Sequence, residues 1–263
     1  MENGFTGRVA SVGTSQYTAP VAHDTVVVVS DAHLGPASEA ATAAFLRFLD
    51  AVPDLGRHLV INGDLFEFWF EYATVIPRHA FPVLAALERV RRAGVALTLT
   101  GGNHDRWGGA FWRMELGAAF HPAGTSLTLA GRRALVLHGD GVAEQRRSAR
   151  LLHAVTRWAP TATLFRWLHP DVGIRLVGLL SGALAADTRD PAAIERAAGA
   201  QAAWAQAFLA AHPDVDLLVL GHTHRPALEA AGAARWYLNP GAWFDGGCHA
   251  VVTADGPELR KFG

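Results

Sequence analysis

The sequence predicts an α/β protein in which strands alternate with helices, and three observations carry that expectation. Short, continuously apolar runs recur, of the kind that form strands buried on both faces. Each run stops at a polar cluster drawn from Asp, Asn and His. Helical periodicity fills the gaps between the first three, giving the order β-α-β-α-β.

The first run, TVVVVS at 25–30, leads into DAHLG. RHLVIN at 57–62 leads into GDLFEFW, and VALTLT at 95–100 leads into GGNHDRW. RRALVLH at 132–138 ends in HGDG, and VDLLVL at 215–220 leads into GHTHRP. Helices are expected near 38–51 and 78–93. From about 141 to 212 the texture shifts to Ala, Leu, Arg and Trp without a convincing strand, which reads as a helical insertion. Its expected segments are 142–157, 161–168, 171–185 and 191–211, punctuated by Pro160, Pro170 and Pro191. Trp158, Trp167 and Trp204 fall at helical spacing within it and are read as packing residues. The C-terminal part, from ARWYLNPGAWF to CHAVVTADGPELRKF, reads as short antiparallel strands. Turns are expected at Asn239-Pro240-Gly241 and Asp255-Gly256.

The chain of 263 residues suits one large domain, or one domain with a sizeable insertion. Half of it is hydrophobic and 18% is charged, which excludes global disorder. A formal net charge of −1 gives no chain-wide attraction to nucleic acid, and none is expected as a partner. The lone Cys248 cannot form an intrachain disulfide, so a reducing compartment is the easier reading. Residues 1–24 lack an apolar stretch of signal-peptide length and read as a flexible leader, leaving 25–263 as the folded domain. No window reaches the roughly 18 apolar residues of a spanning helix. A cytoplasmic protein, soluble or peripherally attached, is the expectation.

Polar groups at the carboxyl ends of strands in an α/β sheet converge on one crevice. That rule would gather Asp31, His33, Asp64, Asn103, His104, His138, His222 and His224. Imidazoles with oxygen donors and no thiolate suit Mn²⁺, Fe or Zn²⁺. Two such ions, close together, clamp a phosphoryl group and acidify a water. Each motif alone has an ordinary reading. Asp64 could cap the next helix, and GNHD could be an Asx turn. GHTH says more, because two imidazoles one residue apart can face one ion. Glu67, Trp69, Arg106 and Trp107 lie beside the motifs and read equally well as cleft lining, packing or capping.

Taken in order, SDAHLG, NGDLFEFW, GGNHDRW, LHGDG and GHTHRP resemble the signature blocks of the calcineurin-like metallophosphoesterases. The resemblance spans Ser30 to Pro226. It implies two packed mixed β-sheets flanked by helices, an αββα sandwich, with two divalent ions between strand ends. It also implies roles. Asp31, His33 and His224 would hold one ion, Asn103, His138 and His222 the other, and Asp64 would bridge them. His104 would contact the phosphate and protonate the leaving oxygen, with Asp105 orienting its ring. These make Asn103, His104 and Asp105 the catalytic candidates.

A narrower likeness comes from GDLFEFWFEY, the helical insertion, LHPDVGIRL and YLNPGAWF. These stretches are similar to the UDP-2,3-diacylglucosamine diphosphatases of the lipid A pathway. That likeness implies a nucleotide–sugar–lipid substrate, Mn²⁺, an insertion that forms a cap over acyl chains, and contact with the cytoplasmic face of the inner membrane. The best-known branch of that group carries arginine where this chain has His104. Two other readings stay open: an esterase for a soluble nucleotide or phosphoprotein, and a binding scaffold without catalysis.

Overall fold

A computed structural model of the chain describes residues 25–35, 39–142, 156, 158–176 and 190–263. The expected leader, most of the 142–157 segment and the later part of 171–185 lie outside the described residues.

Strand β1 (Val26–Val29) shows why the apolar runs are continuous. Val27 and Val29 pack with Phe45, Phe48, Leu49 and Val52 of helix α1 (Glu39–Leu55). Val26 and Val28 point the other way, into a core shared with the second sheet. A strand covered on both faces has no solvent side on which polar residues could alternate.

Strands β2 (His58–Asn62), β3 (Ala96–Thr100) and β4 (Ala119–His121) continue from β1 in parallel. Strands β10 (Cys248–Thr253) and β11 (Gly256–Lys261) complete this sheet on the antiparallel side of β1. Its order is β11-β10-β1-β2-β3-β4. Helix α2 (Phe81–Arg92) covers it beside α1, and follows a 3-10 turn at Arg78–Ala80. Pro82 in its first turn loses no helical hydrogen bond there.

The second sheet has the order β5-β6-β7-β9-β8. Its strands are β5 (Thr125–Leu129), β6 (Arg132–Val136), β7 (Leu217–Val219), β8 (Ala227–Ala230) and β9 (Trp236–Asn239). β6, β7 and β9 run parallel, while β5 and β8 add antiparallel edges. Leu129, Val136, Leu217, Val219 and Leu238 meet Val26, Val28 and Val60 between the sheets. The C-terminal strands are thus split, β9 joining the second sheet and β10 the first.

The sequence reading missed β4, β5, β8 and the short helix α3 (Phe111–Met114). β5 and β6 form a hairpin whose two-residue turn, Ala130 and Gly131, has φ of 47° and 79°. Positive φ at both positions matches the twist of paired strands, but Ala-Gly lacks the usual Asn-Gly signature.

In the insertion, α4 (Ala159–Phe165) is followed by helical residues at 170–176. α5 (Pro191–Ala211) starts where Asp190 accepts a hydrogen bond from Ala192 N at 3.0 Å. Ala205 and Leu209 of α5 pack with Leu135, Leu218, Leu220 and Tyr237 on the outer face of the second sheet. α5 therefore forms the fourth layer of the sandwich, whereas α4 does not share that core. Trp204 stacks on Phe208 as a packing residue. Trp158 and Trp167 correct the packing expectation, being 61% and 85% exposed.

Candidate metal centre

Register puts the functional loops side by side. Val29 pairs with Ile61, and Asn62 with Thr100, so β1, β2 and β3 end together. Val136 pairs with Val219, which aligns the ends of β6 and β7 in the other sheet. Asp31, Asp64 and His138 each follow their strand by two residues.

The loops bend sharply. Asp31, His33, Asp64, His222 and His224 all have φ between 45° and 69°, a left-handed conformation that costs a non-glycine residue energy. Backbone bonds hold it in the first sheet: Asp31 N donates to Gly63 O at 3.1 Å and His33 N to Asp64 O at 2.9 Å. At Gly102 a Cβ would collide with the Asp64 carboxylate, so only glycine allows the GNHD loop this close.

Three donor groups result, each with its ligand atoms within 4.8 Å of one another. Asp31, His33 and His224 form one, and Asp64, His138 and His222 form another. The third contains His33, Asp64 and His104. Asp64 therefore takes part on both sides, with Oδ2 3.7 Å from His33 Nε2 and 3.2 Å from His138 Nε2. Asp31 Oδ1 lies 3.4 Å from His224 Nε2 and 4.0 Å from His138 Nε2. Asn103 sits between Gly102 and His104, whose N–H donates to Asp64 Oδ1 at 2.9 Å.

A pair of divalent cations fits this donor set. Asp31 Oδ1, Asn103 Oδ1 and His138 Nε2 are buried without a hydrogen-bond partner, and such orphans need a ligand or ion. His138 Nδ1 lies 2.9 Å from Asn62 O, a group that only accepts, so Nδ1 donates. In the neutral ring its Nε2 lone pair is then turned toward Asp64 and available to a metal.

The electrostatics point the same way. Burial opposes ionisation of Asp31, but the adjacent His224 and the His138 charge hold its pKa at about 2. Burial likewise opposes ionisation of Asp64, and His138 and His104 overcome it, keeping its pKa well below the usual value. His33 and His222 are each lowered to about 4, mainly by burial. Burial disfavours the charged form of His138 too, yet Asp64 and Asp31 raise its pKa well above the usual value. The paired carboxylates thus create a buried demand for positive charge.

Two expected roles change. Asp105 does not reach the His104 ring. Its carboxylate accepts from Gly102 N at 2.7 Å and Leu65 N at 2.8 Å, tying the GNHD loop to the GDLF loop. Burial and the neighbouring Asp64 raise its pKa to about 6. His104 is oriented instead by the Glu67 carbonyl, which accepts from Nδ1 at 2.6 Å. Trp69 is fully buried among Phe66, Phe111 and Trp112, so it packs rather than lining a cleft. Arg106 forms an ion pair with Asp140, and Trp107 Nε1 donates to Thr156 O at 2.8 Å, joining this loop to the insertion.

Sequence reasoning overlooked the residues that brace the donors. Ser30 Oγ donates to Asp31 Oδ2, and His222 N reaches the same oxygen at 3.1 Å. Asn62 Nδ2 donates to Leu137 O at 2.9 Å, and Thr100 Oγ1 donates to Asn62 Oδ1 at 2.7 Å.

A cleft of about 710 Å³ lies between the stretch that follows the GDLF loop and the insertion. Phe68, Phe70, Tyr72, Ile76 and Ile174 of the insertion line it, with Arg78 and His79 among the polar groups. Chain continuity links the two places. Asp64 lies in the donor cluster, Glu67 holds His104, and the next residue, Phe68, is cleft wall.

Fold and donor set define a class: a metal-dependent hydrolase on an αββα sandwich. The family model for calcineurin-like phosphoesterases matches residues 25–226. The chain belongs to the calcineurin-like metallophosphoesterase family and is a metal-dependent phosphoesterase. It is 30% identical over 249 residues to a UDP-2,3-diacylglucosamine hydrolase of Xanthomonas oryzae pv. oryzae (strain PXO99A), covering 90% of this chain and 99% of that one. A protein of the same name from Yersinia pestis bv. Antiqua (strain Angola) is 30% identical over 240 residues, covering 89% and 97%. Vacuolar Protein Sorting 29 from Cryptosporidium parvum aligns over 92% of this chain and 93% of its own, with TM-score 0.47 and 13% identity.

Proposed function

We propose that this protein hydrolyses the pyrophosphate of UDP-2,3-diacylglucosamine, releasing UMP and a lipid monophosphate. The relatives that match it nearly end to end carry that substrate in their names. The observation that carries the reading is the largely apolar cleft shared by Phe68, Phe70, Tyr72 and Ile76 with Ile174 of the insertion, with room for acyl chains and tied to the donor cluster through the adjacent Glu67 that holds His104. Asp31, His33 and His224 are proposed to hold one ion and Asn103, His138 and His222 the other, with Asp64 between them. Two divalent ions there, Mn²⁺ by the family likeness, with Fe or Zn²⁺ also suited to the donors, supply charge neutralisation at the phosphoryl group and acidify a water.

The protein's own residues do the rest. With Nδ1 committed to Glu67, His104 can present a proton on Nε2 to the leaving oxygen. Asp105 fixes the two loops that carry Asp64 and His104. Residues from about 141 to 190 are proposed as the cap, with α5 belonging to the sandwich.

Contact with the inner-membrane surface is part of the same proposal. No helix among the described residues is long and apolar enough to cross a membrane. Trp158, Leu164, Trp167 and Val172 expose apolar surface on the insertion beside the exposed Arg166 and Arg175, a composition suited to anionic lipid headgroups.

The deciding assay follows UMP release from UDP-2,3-diacylglucosamine with Mn²⁺, with and without chelator. Turnover should depend on the metal and exceed that of p-nitrophenyl esters and cyclic nucleotides. Faster turnover of those soluble esters would favour the second reading, an esterase for soluble substrates, which His104 in place of arginine supports.

A further inference from the structure

The insertion reaches the donor cluster from behind, through one buried side chain. Gln201 lies on the buried stripe of α5 with Ala205 and Leu209, at a position where an apolar residue would fill the core. Its Nε2 donates to Gly221 O at 3.0 Å. Its Oε1 accepts from Tyr237 OH at 2.9 Å, Asn239 Nδ2 at 3.0 Å and Thr223 Oγ1 at 3.3 Å. Asn239 closes the network, with Nδ2 3.1 Å from both Gly221 O and Thr223 Oγ1.

Every partner in that list except Tyr237 holds the GHTH loop. Gly221 precedes His222, and Thr223 stands between His222 and His224. Gly221 N also donates to His138 O at 2.8 Å, joining the loops that carry His138 and His222. The fit leaves no slack. A Cβ at Gly139 would lie 2.8 Å from Gln201 Nε2, and one at Gly221 would lie 2.6 Å from Ser30 Oγ. Since His222 and His224 are in left-handed backbone, something must over-determine the loop. Backbone pairing between neighbouring loops does this for Asp31 and His33, whereas the GHTH loop has the side-chain network in addition to its backbone bond to His138.

We propose that Gln201 is a positioning residue of the metal centre, fixing His138, His222 and His224 in the geometry that binds cations. The proposal rests on those three histidines being ligands. Residues that orient metal ligands typically contribute about 10–100-fold in affinity or activity.

The test is Mn²⁺ binding to the metal-free, full-length protein, read by the free-ion EPR signal, together with melting temperature. Gln201→Met keeps the volume and removes every polar contact, and should weaken Mn²⁺ binding by about 10–100-fold. Thr223→Val, which removes one hydroxyl of the network, should weaken it in the same direction and serves if Gln201→Met does not fold. Tyr237→Phe removes a bond to Gln201 that does not touch the loop; it should lower the melting temperature and leave Mn²⁺ affinity unchanged. Wild-type affinity in Gln201→Met or Thr223→Val, with only the melting temperature reduced, overturns the proposal. A His222→Ala control should bind fewer ions. If it keeps both at wild-type affinity, the ligand assignment itself fails and takes the proposal with it.

Discussion

The two sheets build their halves of the centre differently. On the first sheet, consecutive parallel strands place their loops against each other, and backbone bonds such as Asp31 N to Gly63 O shape them. Both of its carboxylates in the donor groups, Asp31 and Asp64, are almost completely buried. On the second sheet, His138 and His222 come from strands separated by the whole insertion, and a side-chain network from α5 holds the GHTH loop. The seam is Asn62, which accepts from His138 Nδ1 through its carbonyl and donates to Leu137 O through its amide. The first half is held largely by backbone bonds between adjacent loops, and the second adds a buried side-chain network to its backbone bonds, so the halves should respond differently to substitution.

Asp64→Ala should have the largest effect, because that carboxylate serves both halves. We expect kcat/KM to fall about 10³–10⁴-fold, the several kcal/mol that cation clamping supplies, with metal content below that of the wild type. Retention of full metal content by elemental analysis would break the picture of a shared carboxylate. His104→Ala belongs to the first half alone. Its kcat should fall about 10²-fold, the low end for acid catalysis because a phosphate leaving group is a weak base. Metal content should stay intact; loss of an ion would make His104 a ligand, as its grouping with His33 and Asp64 permits.

Thr100→Val tests the seam. It strips the buried Asn62 amide of a donor and should cost about 1 kcal/mol or somewhat more, measured as a lower urea midpoint. Trp167→Ser should change folding stability least, within about 0.5 kcal/mol, since the indole is 85% exposed. A large drop in its melting temperature would mean the insertion packs more tightly than its surface indicates.

The asymmetry also explains what could be read in advance. DAH, GD, GNHD, HGD and GHTH were legible because a donor directly after an apolar run has few structural alternatives. Strand and helix order in the first half followed from the same runs. Gln201 and Asn239 were not legible. Their partners lie 20 and 18 residues away at Gly221, and nothing local marks them except a polar residue on the apolar stripe of α5. The local sequence marks Asn239 only as part of a turn, and its Oδ1 does accept from Gly241 N at 2.9 Å. The Asp105 carboxylate takes Gly102 N and Leu65 N as its partners and Glu67 O takes the His104 ring, pairings that adjacency in sequence does not reveal. β5 was missed because TSLTL is half-buried and has only two apolar residues, so it lacks the continuous apolar run that marked the other strands.

The position of Trp167 gives the protein a built-in optical reporter. Of its eight indoles, Trp69, Trp112 and Trp243 are shielded by the core, while Trp158 and Trp167 meet solvent. Iodide should quench the red edge of the emission and spare the blue. Whatever settles on the insertion should then announce itself as protection from that quencher, in unlabelled protein.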